Sequence, residues 1–275
     1  MSGVAQRAVV KVAAVTVFFW VIKVLTTAMG EAVSDYLVHR YNPYLAVIAG
    51  FVVFVVALGL QFAARRYRSG TYWLAVSMVA VFGTMAADVL HVEFRVPYAV
   101  SACLFAAALA VVFGAWYRSE GTLSIKTVTA GTRERYYWAA VLATFAMGTA
   151  LGDLAAYTLG LGFFSAGILF GVLFALPLLA QRLLGLNSVV AFWLAYVMTR
   201  PLGASFADWT GKSRHAGGLG IGDGTVAFVL ALLIVAMVAF VAGTGRDRPQ
   251  PDSRRHDRDE VPVALEPSIG SETAG

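Results

Sequence analysis

One pattern occurs four times in this chain: an aromatic residue, a Trp, nine residues, a Gly, four residues and an Asp. The copies are Phe19-Trp20 with Gly30 and Asp35, Tyr72-Trp73 with Gly83 and Asp88, Tyr137-Trp138 with Gly148 and Asp153, and Phe192-Trp193 with Gly203 and Asp208. The spacing never slips, and every copy lies in an apolar segment. A unit repeated on this scale sets the architecture before any local reading does.

Only 13% of the residues are charged, half the share of a typical soluble domain, and the mean hydropathy is +0.73. The chain therefore reads as an all-α polytopic membrane protein. Its net charge of +5 is no sign of a nucleic-acid partner, because the basic residues sit between the apolar runs. A single cysteine, Cys103, excludes an internal disulfide and a multi-thiolate metal site. Arg7 and Lys11 precede an apolar run with no small-residue cleavage site after it, which predicts an uncleaved first helix.

A membrane span needs about 20 apolar residues. Eight runs qualify, at about 12–38, 44–63, 71–92, 97–117, 135–159, 163–184, 188–209 and 223–244. Paired in order they form four repeats, about 10–63, 71–117, 135–184 and 188–244, within a transmembrane domain over 1–244. Fifteen Lys and Arg fall on one side of these spans and four on the other, which predicts both termini in the cytoplasm. Residues 245–275, rich in Arg, Asp, Pro and Ser, read as a disordered cytoplasmic tail.

The signature falls on the first, third, fifth and seventh spans, so its four helices run parallel. Each Trp is expected at the headgroups on the cytoplasmic side. Each Asp follows fifteen residues later, about 22 Å along the helix, in the outer part of the span. Positions three, seven, eleven and fifteen after the Trp share a stripe about 120° wide. In the first repeat they are Lys23, Thr27, Glu31 and Asp35; in the fourth they are Tyr196, Arg200, Ala204 and Asp208. Small residues flank the stripe, which suits close helix packing in lipid. The four signature helices are thus expected inside with the stripe inward, and the four plain helices outside.

Charge at membrane depth is costly unless it faces protein or water. Glu31, Asp35, Asp88, Asp153 and Asp208 are set against Lys23 and Arg200 as counter-charges, an excess of three acids. Such an excess asks for protons, bound cations or water, and points to a cation pathway. The competing account makes each Asp an interhelical hydrogen-bonding group, copied by duplication. His39 lies four residues after Asp35 and His91 three after Asp88, a spacing that suits a divalent ion of hard to intermediate character. Pro201 is expected to break the seventh span beside Arg200.

Gly220-Ile221-Gly222-Asp223 matches the Gly-x-Gly-Asp element of intramembrane aspartyl proteases, where two aspartates share a proton. No second protease motif accompanies it, so the short match is weak, and a flexible turn that lets the chain re-enter the membrane explains it without catalysis. The stretches 26–36 (Thr-Thr-Ala-Met-Gly-Glu-Ala-Val-Ser-Asp-Tyr), 148–153 (Gly-Thr-Ala-Leu-Gly-Asp) and 199–209 (Thr-Arg-Pro-Leu-Gly-Ala-Ser-Phe-Ala-Asp-Trp) resemble a bacterial family of uncharacterised membrane-anchored proteins. That family consists of tandem repeats of unknown function, each with two membrane helices and a Trp. The resemblance spans about 10–245 and implies eight spans in a bacterial inner membrane; a Thr stands six residues after the Trp in three copies (Thr26, Thr144 and Thr199), and Val79 replaces it in the second. It implies no activity.

The expected function is transport of a small inorganic cation, such as manganese, or proton-coupled cation movement. Asp35, Asp88, Asp153, Asp208 and Glu31 would bind it, with His39 and His91 as possible metal ligands. A non-catalytic membrane scaffold is the alternative, and a protease using Asp223 the third reading. No catalytic residue and no resident cofactor are expected, and the lipid bilayer is the main partner.

Overall fold

The computed structural model describes residues 9–249; the expected disordered tail lies outside them, apart from the turn at 245–249. Eight helices account for the eight expected spans. They are α1 (Val17–Arg40), α2 (Pro43–Ala63), α3 (Ser69–Val92), α4 (Tyr98–Glu120), α5 (Thr132–Asp153), α6 (Gly162–Leu183), α7 (Ser188–Gly211) and α8 (Asp223–Thr244). All eight are long and apolar enough to cross a membrane, and the chain is a multi-pass membrane protein. Local chemistry sets several boundaries. Asn42 caps α2 by accepting from the Tyr44 and Leu45 N–H groups, with Pro43 at the first helical position. Asn187 caps α7 in the same way. Gly121 and Gly245 end α4 and α8 in the left-handed region, at φ 67° and 69°.

The inner and outer sets are as the stripe required. The most apolar window of α1, α3, α5 and α7 is 61–72% buried, whereas that of α2, α4, α6 and α8 is 17–28% buried. The inner four form a ring in the order α1, α3, α5, α7, with α7 closing on α1. The outer helices are displaced by one unit. Helix α2 packs chiefly on α3, α4 on α5, α6 on α7, and α8 on α1. Each plain helix thus covers the signature helix of the next repeat, and the last repeat closes on the first.

The signature residues mark these closures. A methyl on Gly30 would lie 2.8 Å from the Ala80 carbonyl carbon, and one on Gly83 would lie 3.0 Å from Phe145 Cβ. On Gly148 it would lie 2.6 Å from Arg200 Cβ, and on Gly203 2.9 Å from Thr27 Cβ. In every case the Gly abuts the residue seven after the Trp of the next signature helix. Lipid supplies no hydrophobic drive between helices, so close backbone approach and dispersion must hold the ring. Valine at Gly148 or Gly203 is therefore expected to lower stability by about 1–3 kcal/mol, from overpacking alone. Alanine at Gly59 or Gly114, where nothing lies within 4 Å, is the control. Thermal denaturation in detergent checks both; equal losses at all four positions would refute the assignment.

Three of the four signature Trp residues differ from expectation. Trp73, Trp138 and Trp193 are 1, 3 and 5% exposed, so they are not headgroup anchors. The aromatic residue of each copy packs on the Trp of the next: Phe19 on Trp73, Tyr72 on Trp138, Tyr137 on Trp193 and Phe192 on Trp20, at centroid separations of 5.6, 5.8, 6.4 and 5.6 Å. Edge and tilted aromatic contacts of this length are favourable, and here they form a closed collar. Pro201 does not interrupt α7, which runs continuously from Ser188 to Gly211. Its ring lies against Gly148 and Gly152 of α5, so neighbouring packing holds the helix where one backbone bond is lost.

Candidate functional site: the acidic end of the inner ring

Along the inner ring, the collar lies nearest the chain termini and the signature Asp residues lie at the opposite end. Between them the stripe positions are closed. Thr27, Ala80, Phe145 and Arg200 form one level and Lys23, Val76, Val141 and Tyr196 the level below, all at most 1% exposed. The Tyr72 and Tyr137 hydroxyls share a hydrogen bond of 2.6 Å within the collar. That half of the ring is packed solid.

The acidic end is organised around α1 and α7. Carboxylate oxygens of Glu31, Asp35 and Asp208 lie within 4.8 Å of one another. Glu31 and Asp208 are buried and Asp35 is half-buried. Asp88 on α3 and Asp153 on α5 are also half-buried and occupy the same signature position at this end of the ring, outside the tight group. Asp153 ends the regular part of α5, which continues as a π-turn over Leu154–Thr158. Such turns recur at functional sites. The signature Asp of all four repeats thus belongs to one charged end, three of its carboxyls joined tightly and two standing beside them.

Two cations partner the cluster. Arg200, 1% exposed, reaches from α7 and donates through Nη2 to Glu31 on α1 and to Thr84 Oγ1 on α3, tying three helices. Its Nε and Nη1 have no hydrogen-bond partner among the described residues. Lys212, the residue after α7, pairs with Asp35 and lies 3.9 Å from both Asp208 Oδ1 and Asp223 Oδ2. Burial would lower its pKa, but Asp35, Asp208 and Asp223 outweigh that and raise it, so the ammonium stays charged through neutral pH.

Lys23 is not the counter-charge expected of it. Its ammonium lies 4.0 Å from the Phe145 centroid and 4.5 Å from that of Tyr196, and it makes no ion pair among the described residues. Ring faces replace a carboxylate there, because its level of the stripe holds no acid. The two histidines stand apart from the carboxylate group. His39 is exposed and bonds the Asp35 carbonyl through Nδ1 at 2.7 Å. His91 faces the Val96 carbonyl at 3.0 Å and packs on Tyr98. Among the described residues the side chains of this kind that the fold brings together are three carboxylates, Glu31, Asp35 and Asp208, a chemistry closer to that of hard-cation sites than of zinc sites.

Sequence reasoning missed Lys212 and Asp223 as members of this site. Lys212 follows Asp208 by four residues at the end of α7, a spacing that places both on one face. Asp223 begins α8, and the approach of Gly211 to it and of Gly224 to Tyr36 brings that helix end onto α7 and α1.

Four consecutive stretches, 18–67, 71–122, 136–185 and 191–247, match the model of a family described as a repeat of unknown function (DUF347). No curated protein and no solved structure matches the chain.

Proposed function

We propose that this chain, which belongs to the DUF347 family of repeats of unknown function, moves a small cation across a bacterial inner membrane and binds it at the acidic end of the ring. The observation that carries this reading is the meeting of Glu31, Asp35 and Asp208 oxygens within 4.8 Å, on the two span-length helices α1 and α7. Repelling carboxylates gathered in a low-dielectric region are costly unless a cation or proton joins them. Arg200 offsets Glu31 and Lys212 offsets Asp35, while Asp88 and Asp153 have no ion-pair partner among the described residues. An all-carboxylate set suits a hard divalent ion such as manganese, or protons moved with it. The closed collar and stripe levels beneath fit a site reached from one side at a time.

Two alternatives are weaker. A scaffold needs interhelical glue, which Arg200 with Glu31 supplies without Asp88 or Asp153. A protease needs two carboxyls sharing a proton, and the Lys212 ammonium stands between Asp223 and Asp208.

Lys212 is then a tethered cation that an incoming one displaces. Opposite charges at about 4 Å interact by about 4 kcal/mol even at an effective dielectric of 20. Lys212→Gln is therefore expected to tighten manganese binding by about tenfold or more, a difference of about 1.4 kcal/mol. Manganese titration of purified protein reads the affinity, and manganese flux into proteoliposomes reads the transport. Vesicles carrying the protein that leak no more manganese or protons than protein-free ones would end the transport reading.

A further inference from the structure

The end of the ring that carries the termini is crossed by a strap. Residues 9–15 precede α1 and run beneath the collar. At the α1 side, the Ala14 N–H donates to the Asp247 carbonyl, just past α8, at 2.9 Å. Asp247 is itself 0% exposed and accepts from the Tyr67 hydroxyl at 2.6 Å. At its other end the strap reaches α5, the helix across the ring from α1. Val10 forms an antiparallel bridge with Thr129, and the Lys11 N–H donates to the Val128 carbonyl at 2.9 Å. Val12 and Ala13, 2 and 3% exposed, join the same apolar core as Trp73 and Trp138.

A buried polar latch holds the far end. Lys11 Nζ donates to Glu134 Oε2 at 2.6 Å and to the Phe62 carbonyl at 3.2 Å. Gln61 Nε2 donates to Glu134 Oε1 at 3.2 Å and to the Lys11 carbonyl at 3.4 Å. Lys11, Gln61 and Glu134 are each at most 2% exposed. Neither Lys11 nor Glu134 belongs to the repeat signature. The position four before the Trp is acidic in the third copy alone, the others having Thr16, Ser69 and Val189. A fourfold ring thus carries one asymmetric closure, and it lies at the end opposite the carboxylates. A buried ion pair is poor value as a stabiliser against apolar packing, whereas it suits a register or switch role.

We propose that the strap is the gate at the terminus-bearing end, that Lys11 with Glu134 and Gln61 is its latch, and that it must lift for a cation to leave or enter there. This rests on the transport reading. The test joins Val10→Cys with Thr129→Cys in a Cys103→Ser background. Opposed antiparallel residues lie about 4.5–5.5 Å apart between Cα atoms, within disulfide reach. Manganese and proton flux into proteoliposomes are read before and after oxidation, and again after reduction. The expected result is flux in the reduced protein, loss to background on oxidation, and recovery with reductant. Equal flux in both states overturns the gate and leaves transport standing. No flux in any form, wild type included, removes the transport reading and the gate with it. Should the cysteine pair be inactive even when reduced, Lys11→Gln decides. Faster amide exchange over the strap together with faster flux supports the gate; no change in either overturns it.

Discussion

Asparagine at Asp208 is expected to reduce manganese affinity and flux by about 10- to 100-fold or more, while the protein still inserts and folds. Ligand-supporting groups alone are commonly worth that range at a metal site, and a carboxylate in the donor group counts for at least as much. Asp208 is the informative choice among the acids. It is buried, it belongs to the tight group with Glu31 and Asp35, and Lys212 approaches it only at 3.9 Å. Losing its charge therefore removes one of the proposed cation ligands without breaking a short ion pair. Asparagine keeps the shape and a carbonyl oxygen, so packing against α1 changes little. Flux in proteoliposomes and melting in detergent should be read together. A protein that melts normally and no longer conducts supports the binding role. One that melts far lower and conducts normally per folded molecule would show Asp208 to be interhelical glue, as would a wild-type rate in D208N.

Methionine at Arg200 is expected to be the most damaging single change to the fold, at about 3–5 kcal/mol. It would leave Glu31, 6% exposed, as a buried charge with no partner, and would free Thr84 as well. The cost arises from the orphaned carboxylate more than from lost attraction. Glu31→Gln added to Arg200→Met should then restore much of the stability, because both charges have gone together. The double variant should still fail to bind manganese, since one of three clustered carboxylates is missing. Melting temperatures of the four proteins in the cycle test this directly. If the single and double variants melt alike, the pair does not hold the helices together.

Asp88 and Asp153 belong to the same end of the ring but stand outside the tight group, which divides the four signature carboxylates into unequal pairs. The inequality follows from the +11 position, where the first repeat alone has an acid, Glu31, against Thr84, Thr149 and Ala204. Arg200 at the +7 position answers it from the neighbouring helix α7. Divergence of the copies at these two levels converts a symmetric ring into one with a preferred side.

Much of the architecture was legible in one dimension. Eight apolar runs of span length, a signature on every second run and a polar stripe at helical phase determined eight helices, four of them inside and parallel. The signature Gly and the flanking small residues announced close packing, and the stripe placed Asp208, Asp35 and Glu31 inward. The partner of each group was another matter. Periodicity says which face of a helix is buried, but any inward apolar face packs equally well on several neighbours, and lipid does not choose among them. Only the closed ring decided that each Gly and each aromatic residue meets the next repeat, that α8 covers α1, and that Trp73 and Trp138 lie in protein instead of at headgroups. Lys23 turned to aromatic rings because its level holds no acid, and Lys212 came to Asp35 because α7 ends where α8 begins. Charges are placed by contacts between residues 123, 169 or 177 positions apart in the chain, as for Lys11 with Glu134, Arg200 with Glu31 and Lys212 with Asp35. No local pattern encodes distances of that kind; they exist once the four copies have closed into a circle.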